Sequence, residues 1–225
     1  ECRAQGVTTL LAPGVNIKRS PLCGRSFEYY SEDPLLSGKM ASGFIQGLKK
    51  HGVGCSLKHF AANNQETLRM SISSEVDERA LHELYLRAFE IAVKEAKPST
   101  VMCSYNRING VYSADNRQLL TEILREKWGF DGLVMSDWGA VNDRAEGIRA
   151  GLDLEMPGNG GANDRRIVEA VKSNHLSEEE LDRVVRRVLR FVFEAAENSA
   201  PVPCDPDAGH LLAVRALEQS AVLLK

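Results

Sequence analysis

Long hydrophobic runs are missing from the sequence, and neither sign of charge predominates. The longest uncharged apolar runs are short, such as residues 132–135, whereas a membrane-spanning helix needs about 20 apolar residues. We therefore expect no membrane segment. The 28 Lys and Arg residues are interspersed with 31 Asp and Glu residues, for a net charge of −3. Because no Lys/Arg-rich stripe is available to follow phosphates, nucleic acid is not expected as a partner.

Cysteine is scarce and lacks the spacing of a disulfide or metal framework. The five cysteines are odd in number, and none forms a Cys-x-x-Cys pair. The sequence therefore predicts neither a disulfide framework nor a metal site, and it favours a reducing compartment such as the cytoplasm. A basic-then-apolar leader is also missing after Glu1, so we expect any original signal to lie outside this sequence. The cysteines are Cys2, Cys23, Cys55, Cys103 and Cys204.

The composition is that of one ordinary globular domain. The chain has 225 residues, of which 43% are hydrophobic and 26% are charged, and this is enough to bury a core. Short apolar runs alternate with longer helical patterns, which predicts parallel β/α units rather than a sandwich or a helical bundle. The predicted strands are residues 8–12, 55–59, 101–104, 133–136 and 152–156.

Helical periodicity fills the segments between the predicted strands. The clearest helix follows Ser177, which forms a capping-box pattern with Glu180 ahead of apolar residues at helical spacing. Residues 198–207 are rich in proline and predict a linker that leaves the domain, followed by another helix. The other predicted features are a helix that ends near Gly52, a helix over 75–97, a helix that closes at Gly129 and a turn at Asn109-Gly110.

Polar and aromatic residues follow the predicted strands where each one ends. In parallel α/β folds functional groups gather there, because the loops at the C-terminal strand ends converge on one face. The apolar run 132–135 is followed by Ser136, Asp137 and Trp138. Asp137 could simply cap the next helix. An aromatic face beside a carboxylate, however, suits a sugar ring.

Cations and a tyrosine stand at or near the other predicted strand ends. Lys58 and His59 are costly to bury without partners, so they face either a ligand or a structural ion pair. Tyr105 could be a core residue whose hydroxyl is satisfied. Arg25 and Arg69 could bind hydroxyl groups or merely pair with surface acids. The residue types alone leave these alternatives open.

Several motifs, spread over nearly the whole chain, match one known family in the same order. They are Leu11-Ala12-Pro13, residues 22–34, Lys58-His59-Phe60, Asn63-Asn64-Gln65-Glu66, residues 102–106, residues 128–132, Ser136-Asp137-Trp138 and Met156-Pro157-Gly158. With these motifs the chain resembles the glycoside hydrolase family 3 β-glucosidases.

The resemblance implies a fold, a reaction and a set of site residues. The fold is α/β, a TIM-like (β/α)8 barrel of parallel strands alternating with helices. The activity is that of a retaining β-glucosidase, which hydrolyses terminal non-reducing β-D-glucosyl residues of β-glucosides and cello-oligosaccharides without a cofactor. The Asp of the family's Ser-Asp-Trp motif is its nucleophile and falls on Asp137. The residues that would line the subsite for the non-reducing sugar are Arg25, Lys58, His59, Arg69, Met102, Tyr105 and Trp138.

The resemblance also implies that parts of the protein lie outside this sequence. A retaining glycosidase needs a second carboxyl group about 5–5.5 Å from the nucleophile to protonate the leaving oxygen. In the β-glucosidases of this family that Glu comes from a second domain, so we assign the acid/base role to no residue here. We expect residues 1–197 to be an incomplete barrel, truncated on its N-terminal side, and residues 198–225 to be a linker and the start of the second domain.

Four other functions stay open at this point. The β-N-acetylhexosaminidase branch of the family continues Lys-His-Phe with Pro-Gly-His-Gly, and Ala61-Ala62-Asn63-Asn64 stands here instead, which disfavours that branch. A β-xylosidase or arabinosidase would differ in a pocket that the sequence does not reveal. Lys58 could be a Schiff-base lysine of an aldolase-like barrel. A non-catalytic sugar-binding protein is the fourth alternative.

Overall fold

A parallel sheet forms the centre of the chain. The computed structural model describes residues 1–223. Within them the first, second, fourth and seventh strands are hydrogen-bonded neighbours in that order, and every pair is parallel. This arrangement confirms the predicted α/β class. In chain order the strands are β1 (Thr9–Leu10), β2 (Gly54–Phe60), β3 (Ser73–Ser74), β4 (Thr100–Cys103), β5 (Arg107–Ile108), β6 (Val111–Tyr112) and β7 (Leu133–Met135).

Helices with well-defined caps connect these strands. Asp33 caps the first helix and Pro34 is its first residue, a combination that favours helix initiation. The predicted capping box of Ser177 and Glu180 is confirmed. None of the described helices is long and apolar enough to cross a bilayer. The helices are α1 (Pro34–Lys50), α2 (Glu78–Ala80), α3 (Arg87–Ala96), α4 (Arg144–Ala150), α5 (Ala162–Lys172), α6 (Glu178–Glu197) and α7 (Pro206–Ser220), with π-helical segments at Leu81–Tyr85 and Gln118–Lys127.

One face of the parallel sheet packs against the connecting helices. Leu57 and Val101 are fully buried and share a core with Phe89 of α3. α1 and α3 approach closely at Gly38, where an added Cβ would lie 2.8 Å from the Cβ of Ile91. Close packing of this kind fixes the helices against the sheet and thereby fixes the positions of the strand ends.

The other face of the sheet buries a separate apolar layer. Met102, Leu133 and Met135 form a cluster to which Val188 and Phe191 of α6 are packed. In a β/α barrel, side chains on this side of the strands fill the interior. Within the described part of the chain, α6 therefore covers the face that a closed barrel would turn inward.

A small second sheet follows the C-terminal end of β4. It contains β3, β5 and β6, and β5 and β6 form a hairpin. The hairpin turns at Asn109 and Gly110, as predicted, with φ values of 49° and 87° that suit these two residue types. The Asn109 side chain also exchanges two hydrogen bonds with the backbone of Val76. These contacts join the segment after β2 to the segment after β4.

The fifth predicted strand, 152–156, is wrong in its extent. Only an isolated bridge joins Leu154 to Met135. The Asp153 side chain accepts the backbone N–H of Val134 at 2.8 Å, while the N–H groups of both Asp153 and Leu154 reach the Val134 carbonyl. A side chain thus replaces a ladder bond at this edge, and regular pairing ends.

Two helices, α4 and α5, were not predicted. α4 has seven residues, too few for a helical period of apolar residues to stand out. The predicted helix over 75–97 is interrupted by a π-helical segment, in which the N–H of Leu86 reaches the carbonyl of Leu81 at 2.9 Å.

The assignment of 198–225 to a linker and a second domain stays a prediction, and it includes residues 224 and 225, which lie outside the described residues.

Asp153 is the first target for a test of the fold. Its side chain is fully buried and accepts bonds from Arg125 at 2.6 Å and Arg187 at 3.0 Å. We expect Asp153→Ala to lower the free energy of unfolding by about 3–5 kcal/mol, because it leaves buried guanidinium charge without its partner. Urea unfolding measures this change. A loss below about 1 kcal/mol, the range of an exposed ion pair, would contradict the structural role.

Candidate active site

Three neighbouring strands deliver polar side chains to the same end of the sheet. Lys58 and His59 belong to the last residues of β2, Tyr105 follows β4, and Asp137 follows β7. Because β4 pairs with both β2 and β7 in parallel, their C-terminal ends lie side by side. The four residues therefore start from adjacent points of one edge.

Among the described residues, only one of the two Asp137 carboxylate oxygens accepts a hydrogen bond. The residue is 7% exposed. Its Oδ1 accepts the backbone N–H of Trp138 at 2.8 Å, whereas its buried Oδ2 has no hydrogen-bond partner among the described residues. Asp137 does not cap the following helix, because Asp143 caps α4 by accepting the N–H groups of Ala145 and Glu146. The simple capping role is thus excluded.

His59 is held on its backbone and on its ring. Asn16 accepts the His59 N–H at 2.8 Å and donates to the His59 carbonyl at 2.9 Å. On the ring, Nδ1 lies 3.0 Å from the Tyr29 hydroxyl, and Nε2 lies 3.6 Å from Oδ2 of Asp137. These four residues are all buried, so the imidazole has a fixed orientation toward the carboxylate.

Burial and three cations keep His59 neutral. Burial lowers its pKa most, and the positive charges of Arg25, Lys58 and Arg69 lower it further, to about 2. The site therefore holds a neutral imidazole beside an acidic side chain.

Glu28 forms ion pairs with two of the three cationic side chains that lower the pKa of His59. It forms an ion pair with Arg25 and another with Lys58, whose Nζ lies 3.3 Å from Oε2. Burial raises the Glu28 pKa, but the hydrogen bond and charge of Arg25 together with Lys58 outweigh burial and leave the pKa below its ordinary value. Glu28 is thus an ionised bridge between the two cations.

Arg69 has its own carboxylate and stacks on an aromatic ring. Its Nη1 lies 2.7 Å from Oε2 of Glu66, and its guanidinium carbon lies 4.6 Å from the centre of the Tyr105 ring. Burial and the nearby negative charge of Asp137 raise the pKa of Tyr105. The Tyr105 hydroxyl is therefore a protonated donor close to the carboxylate.

The two apolar residues of the predicted set have different settings. Trp138 is 44% exposed, so its ring is accessible beside Asp137. Met102 is 2% exposed and belongs to the apolar cluster with Leu133 and Met135. The structure thus brings the polar residues into one network and leaves Met102 in the packed layer next to it.

Sequence reasoning left three supporting residues out of the predicted site. Glu28, Tyr29 and Asn16 make the contacts that orient Lys58 and His59. The Arg-x-x-Glu spacing of residues 25–28 was a usable signal for the first of them. Nothing in the sequence distinguishes Tyr29 from Tyr30, because the choice depends on which ring reaches a residue far along the chain.

The arrangement suits attack by a carboxylate on a polar, uncharged ligand. One Asp137 oxygen is free, and around it stand cationic and hydroxyl donors able to bind several hydroxyl groups. Over the part of the chain that the structure covers, no group of three His, Cys, Asp or Glu residues is arranged to hold a metal ion.

The neutral state of His59 gives a pH-dependent test. Between pH 2 and 6.5 the unfolded chain binds a proton at His59 that the native chain does not. The free energy of unfolding therefore rises with pH in this range, by at most about 1.4 kcal/mol per unit from this residue. The stability advantage of the native protein over His59→Gln should accordingly shrink as the pH falls from 6.5 to 4.5 in urea unfolding.

A matched control is His210→Gln, which changes an exposed histidine of α7. Its stability curve should run parallel to that of the unchanged protein. Parallel curves for His59→Gln would mean that His59 binds its proton equally in the native and the unfolded state, and the neutral imidazole would be wrong.

Comparison with known proteins identifies the family. The profile of the "Glycosyl hydrolase family 3 N terminal domain" matches residues 1–191. The chain belongs to this family. The glycosyl hydrolase family 3 domain is similar over its whole length to "Thermostable beta-glucosidase B" of Acetivibrio thermocellus, with 57% identity over 226 residues, and to "Exo-alpha-(1->6)-L-arabinopyranosidase" of Bifidobacterium longum, with 51% identity over 227 residues.

Solved structures confirm the barrel-type fold that the sequence predicts. The "Structure of beta-glucosidase 3B from Thermotoga neapolitana in complex with alpha-D-glucose" matches 100% of this chain at a TM-score of 0.96 and 48% identity, and the chain covers 33% of that structure. The two relatives named above are covered to 30% of their length. The family 3 domain described here thus corresponds to about a third of its relatives.

Proposed function

We propose that this chain carries the nucleophile and the sugar-binding subsite of a retaining β-glycosidase of the β-glucosidase type. Its substrates are terminal non-reducing β-D-glucosyl residues of β-glucosides and cello-oligosaccharides. One observation carries the proposal: the buried Oδ2 of Asp137 has no hydrogen-bond partner among the described residues. It stands at the end of three parallel strands, 3.6 Å from Nε2 of His59.

The proposed reaction consists of two displacements at the anomeric carbon. Oδ2 of Asp137 attacks the anomeric carbon as the bond from that carbon to the leaving oxygen breaks, and the leaving oxygen takes a proton from a general acid. The product is a glycosyl ester of Asp137 and a free alcohol. Water, deprotonated by the same acid/base, then attacks the anomeric carbon and releases the sugar with its configuration retained. The Trp138 N–H fixes Oδ1 and leaves Oδ2 to react.

The surrounding side chains have the chemistry to hold a glucose ring. Lys58, Arg25 and Arg69 offer charge-assisted hydrogen bonds to hydroxyl oxygens, and the carboxylates behind them keep their charged ends in place. Trp138, with its accessible ring, can stack on the apolar face of the sugar. Such positioning of the anomeric carbon near the nucleophile lowers the activation free energy, because translational and rotational freedom is lost on binding rather than in the reaction step.

The general acid is proposed to lie outside this chain. The carboxylates that the contacts link to the site are Glu28 and Glu66, and each forms an ion pair with a cation of the site. The cations lower the pKa of Glu28. An acid that must protonate a leaving oxygen needs the opposite setting, with a raised pKa. The relatives are about three times as long as this chain and have room for such a residue.

A second candidate function follows from one relative. The Bifidobacterium longum protein, 51% identical, is named an exo-α-(1→6)-L-arabinopyranosidase. α-L-Arabinopyranosides lack the CH₂OH group and carry the opposite configuration at C4 relative to β-D-glucosides, so one pocket can discriminate between them. The comparison of 4-nitrophenyl β-D-glucopyranoside with 4-nitrophenyl α-L-arabinopyranoside, by their kcat/KM values, distinguishes the two functions.

Covalent trapping tests the proposed reaction. 2,4-Dinitrophenyl 2-deoxy-2-fluoro-β-D-glucoside has a leaving group that needs no acid, and its fluorine slows hydrolysis of the intermediate. We expect it to label the peptide that contains Ser136-Asp137-Trp138, in this chain and in a chimera whose remaining length comes from the Acetivibrio thermocellus relative. Peptide mass spectrometry identifies the labelled residue.

The same experiment separates the competing functions. A non-catalytic sugar-binding protein would bind glucose without forming the adduct. An aldolase-like enzyme would instead be trapped at Lys58 by borohydride in the presence of a carbonyl substrate. Label on Glu66 or Asp153 would overturn the assignment of the nucleophile.

A further inference from the structure

A buried tyrosine that the proposed reaction does not use contacts the His59 ring. Tyr29 is 4% exposed, and its hydroxyl lies 3.0 Å from Nδ1 of His59. The other ring nitrogen, Nε2, lies 3.6 Å from Oδ2 of Asp137. The imidazole thus stands between a hydroxyl, which can donate or accept, and a carboxylate, which when ionised can only accept.

These partners determine which nitrogen carries the proton. A neutral imidazole has one N–H and one lone pair. A lone pair on Nε2 would face the negative Oδ2, whereas an N–H there is attracted to it. The favourable tautomer therefore has its proton on Nε2 and a lone pair on Nδ1, and the Tyr29 hydroxyl must be the donor to that lone pair.

We propose that Tyr29 is a positioning residue that donates its hydroxyl hydrogen to Nδ1 of His59 and thereby holds the imidazole with its Nε2–H toward Asp137. The inference deepens the proposed function and rests on it only for its catalytic consequence. The tautomer itself follows from the three side chains. Burial raises the pKa of the Tyr29 hydroxyl above its ordinary value, so it retains its hydrogen at neutral pH.

The local packing is built to hold this contact. An added Cβ at Gly14 would lie 2.8 Å from Cε1 of Tyr29, so glycine is needed for the ring to occupy its position. Asn16, two residues later, binds both the N–H and the carbonyl of His59. One short segment therefore seats the tyrosine ring and fixes the histidine backbone, and the hydroxyl meets Nδ1 with little freedom on either side.

The fixed tautomer matters to the reaction in two ways. An N–H on Nε2 can donate to a hydroxyl oxygen of the bound sugar next to the anomeric carbon. It also faces the carboxylate that must remain ionised until it attacks. The other tautomer would offer a lone pair at the same place and would leave Nδ1–H against the tyrosine, so the donor would be lost from the sugar side.

Nuclear magnetic resonance of this chain reads the tautomer directly. The chain has five histidines, and with ¹⁵N-histidine the His59 signals are assigned by their loss in His59→Gln. The nitrogen Nε2 couples to both ring carbon-bound protons, whereas Nδ1 couples strongly to only one. We expect the protonated nitrogen of His59 to show both couplings and its shifts to stay constant from pH 5 to 8. A protonated Nδ1 would overturn the proposal.

Two tyrosine variants separate positioning from packing. Tyr29→Phe keeps the ring and removes the donor, so the Nδ1 resonance of His59 should shift toward that of an imidazole nitrogen without a hydrogen bond, while Nε2 stays protonated. The rate of labelling of Asp137 by the fluoroglucoside should fall by about 10-fold, the loss expected when a buried acceptor loses its hydrogen bond. Tyr30→Phe, a change at the adjacent and half-buried tyrosine, should leave the spectrum and the labelling rate unchanged within about 2-fold.

A substitution of Gly14 tests the contact between Tyr29 and His59 independently. Gly14→Ala retains the hydroxyl but crowds the Tyr29 ring, and it should shift the His59 Nδ1 resonance in the same direction as Tyr29→Phe. If Tyr29→Phe leaves both the Nδ1 resonance of His59 and the labelling rate unchanged, Tyr29 does not position the ring and the proposal fails. Failure of the proposed function is a separate result, because then Asp137 would not be labelled while the tautomer of the unchanged protein would still be Nε2–H.

Discussion

Turnover of β-glucosides is expected to fall by on the order of 10⁴-fold or more when Asp137 is replaced by alanine, the scale seen when an enzyme loses its nucleophile. The physical reason is that Oδ2 of Asp137 is the group we propose to attack the anomeric carbon. The neighbouring carboxylates cannot substitute for it, since Glu28 and Glu66 are ion-paired to cations. The measurement is kcat/KM for 4-nitrophenyl β-D-glucopyranoside in the chimera with the Acetivibrio thermocellus relative.

Azide distinguishes a lost nucleophile from a lost fold. In Asp137→Ala the space of the carboxylate is free, and azide can attack the anomeric carbon of a dinitrophenyl glucoside directly. One displacement inverts the configuration, so the product should be the α-glycosyl azide. The matched control is Asp131→Ala, which removes an exposed aspartate from the turn before β7 and should change kcat/KM by less than about 2-fold, as for most surface substitutions. Near-normal activity of Asp137→Ala would contradict the proposed role of Asp137 as the nucleophile.

The second large effect concerns the leaving group. We expect this chain alone to discriminate against cellobiose relative to 2,4-dinitrophenyl β-glucoside by about 10²–10⁴-fold more than the chimera does, because a general acid contributes about that factor. A sugar alkoxide leaves only after protonation, whereas dinitrophenolate leaves without it. The measurement is the ratio of the two kcat/KM values in each protein.

The chain that carries Asp137→Ala controls for contaminating glucosidase in this comparison. Its activity toward both substrates should be at background. Efficient cellobiose turnover by the unchanged chain would show that an acid/base lies within residues 1–225. Glu28 and Glu66 would then be the first residues to replace.

The sequence by itself determined the class of fold and the position of the nucleophile candidate. Apolar runs of strand length between helical patterns predict parallel β/α units, and β2, β4 and β7 lie where those runs are. Capping patterns such as Ser177 with Glu180 act within one turn of chain, so they can be read locally. Asp137 is placed by its motif and by the strand before it, and its role as nucleophile remains a prediction that trapping can test.

Only the tertiary structure decided how the side chains are partnered. Glu28 reaches Lys58, Tyr29 reaches His59, and Asp153 reaches Arg187 across long stretches of chain. The tertiary structure also decided the extent of the fifth predicted strand. Its pairing ends because the Asp153 side chain accepts the backbone N–H of Val134. Hydrogen bonds and ion pairs depend on separations of a few ångström between atoms, and for residues far apart in sequence those separations are set by how the strands and helices pack.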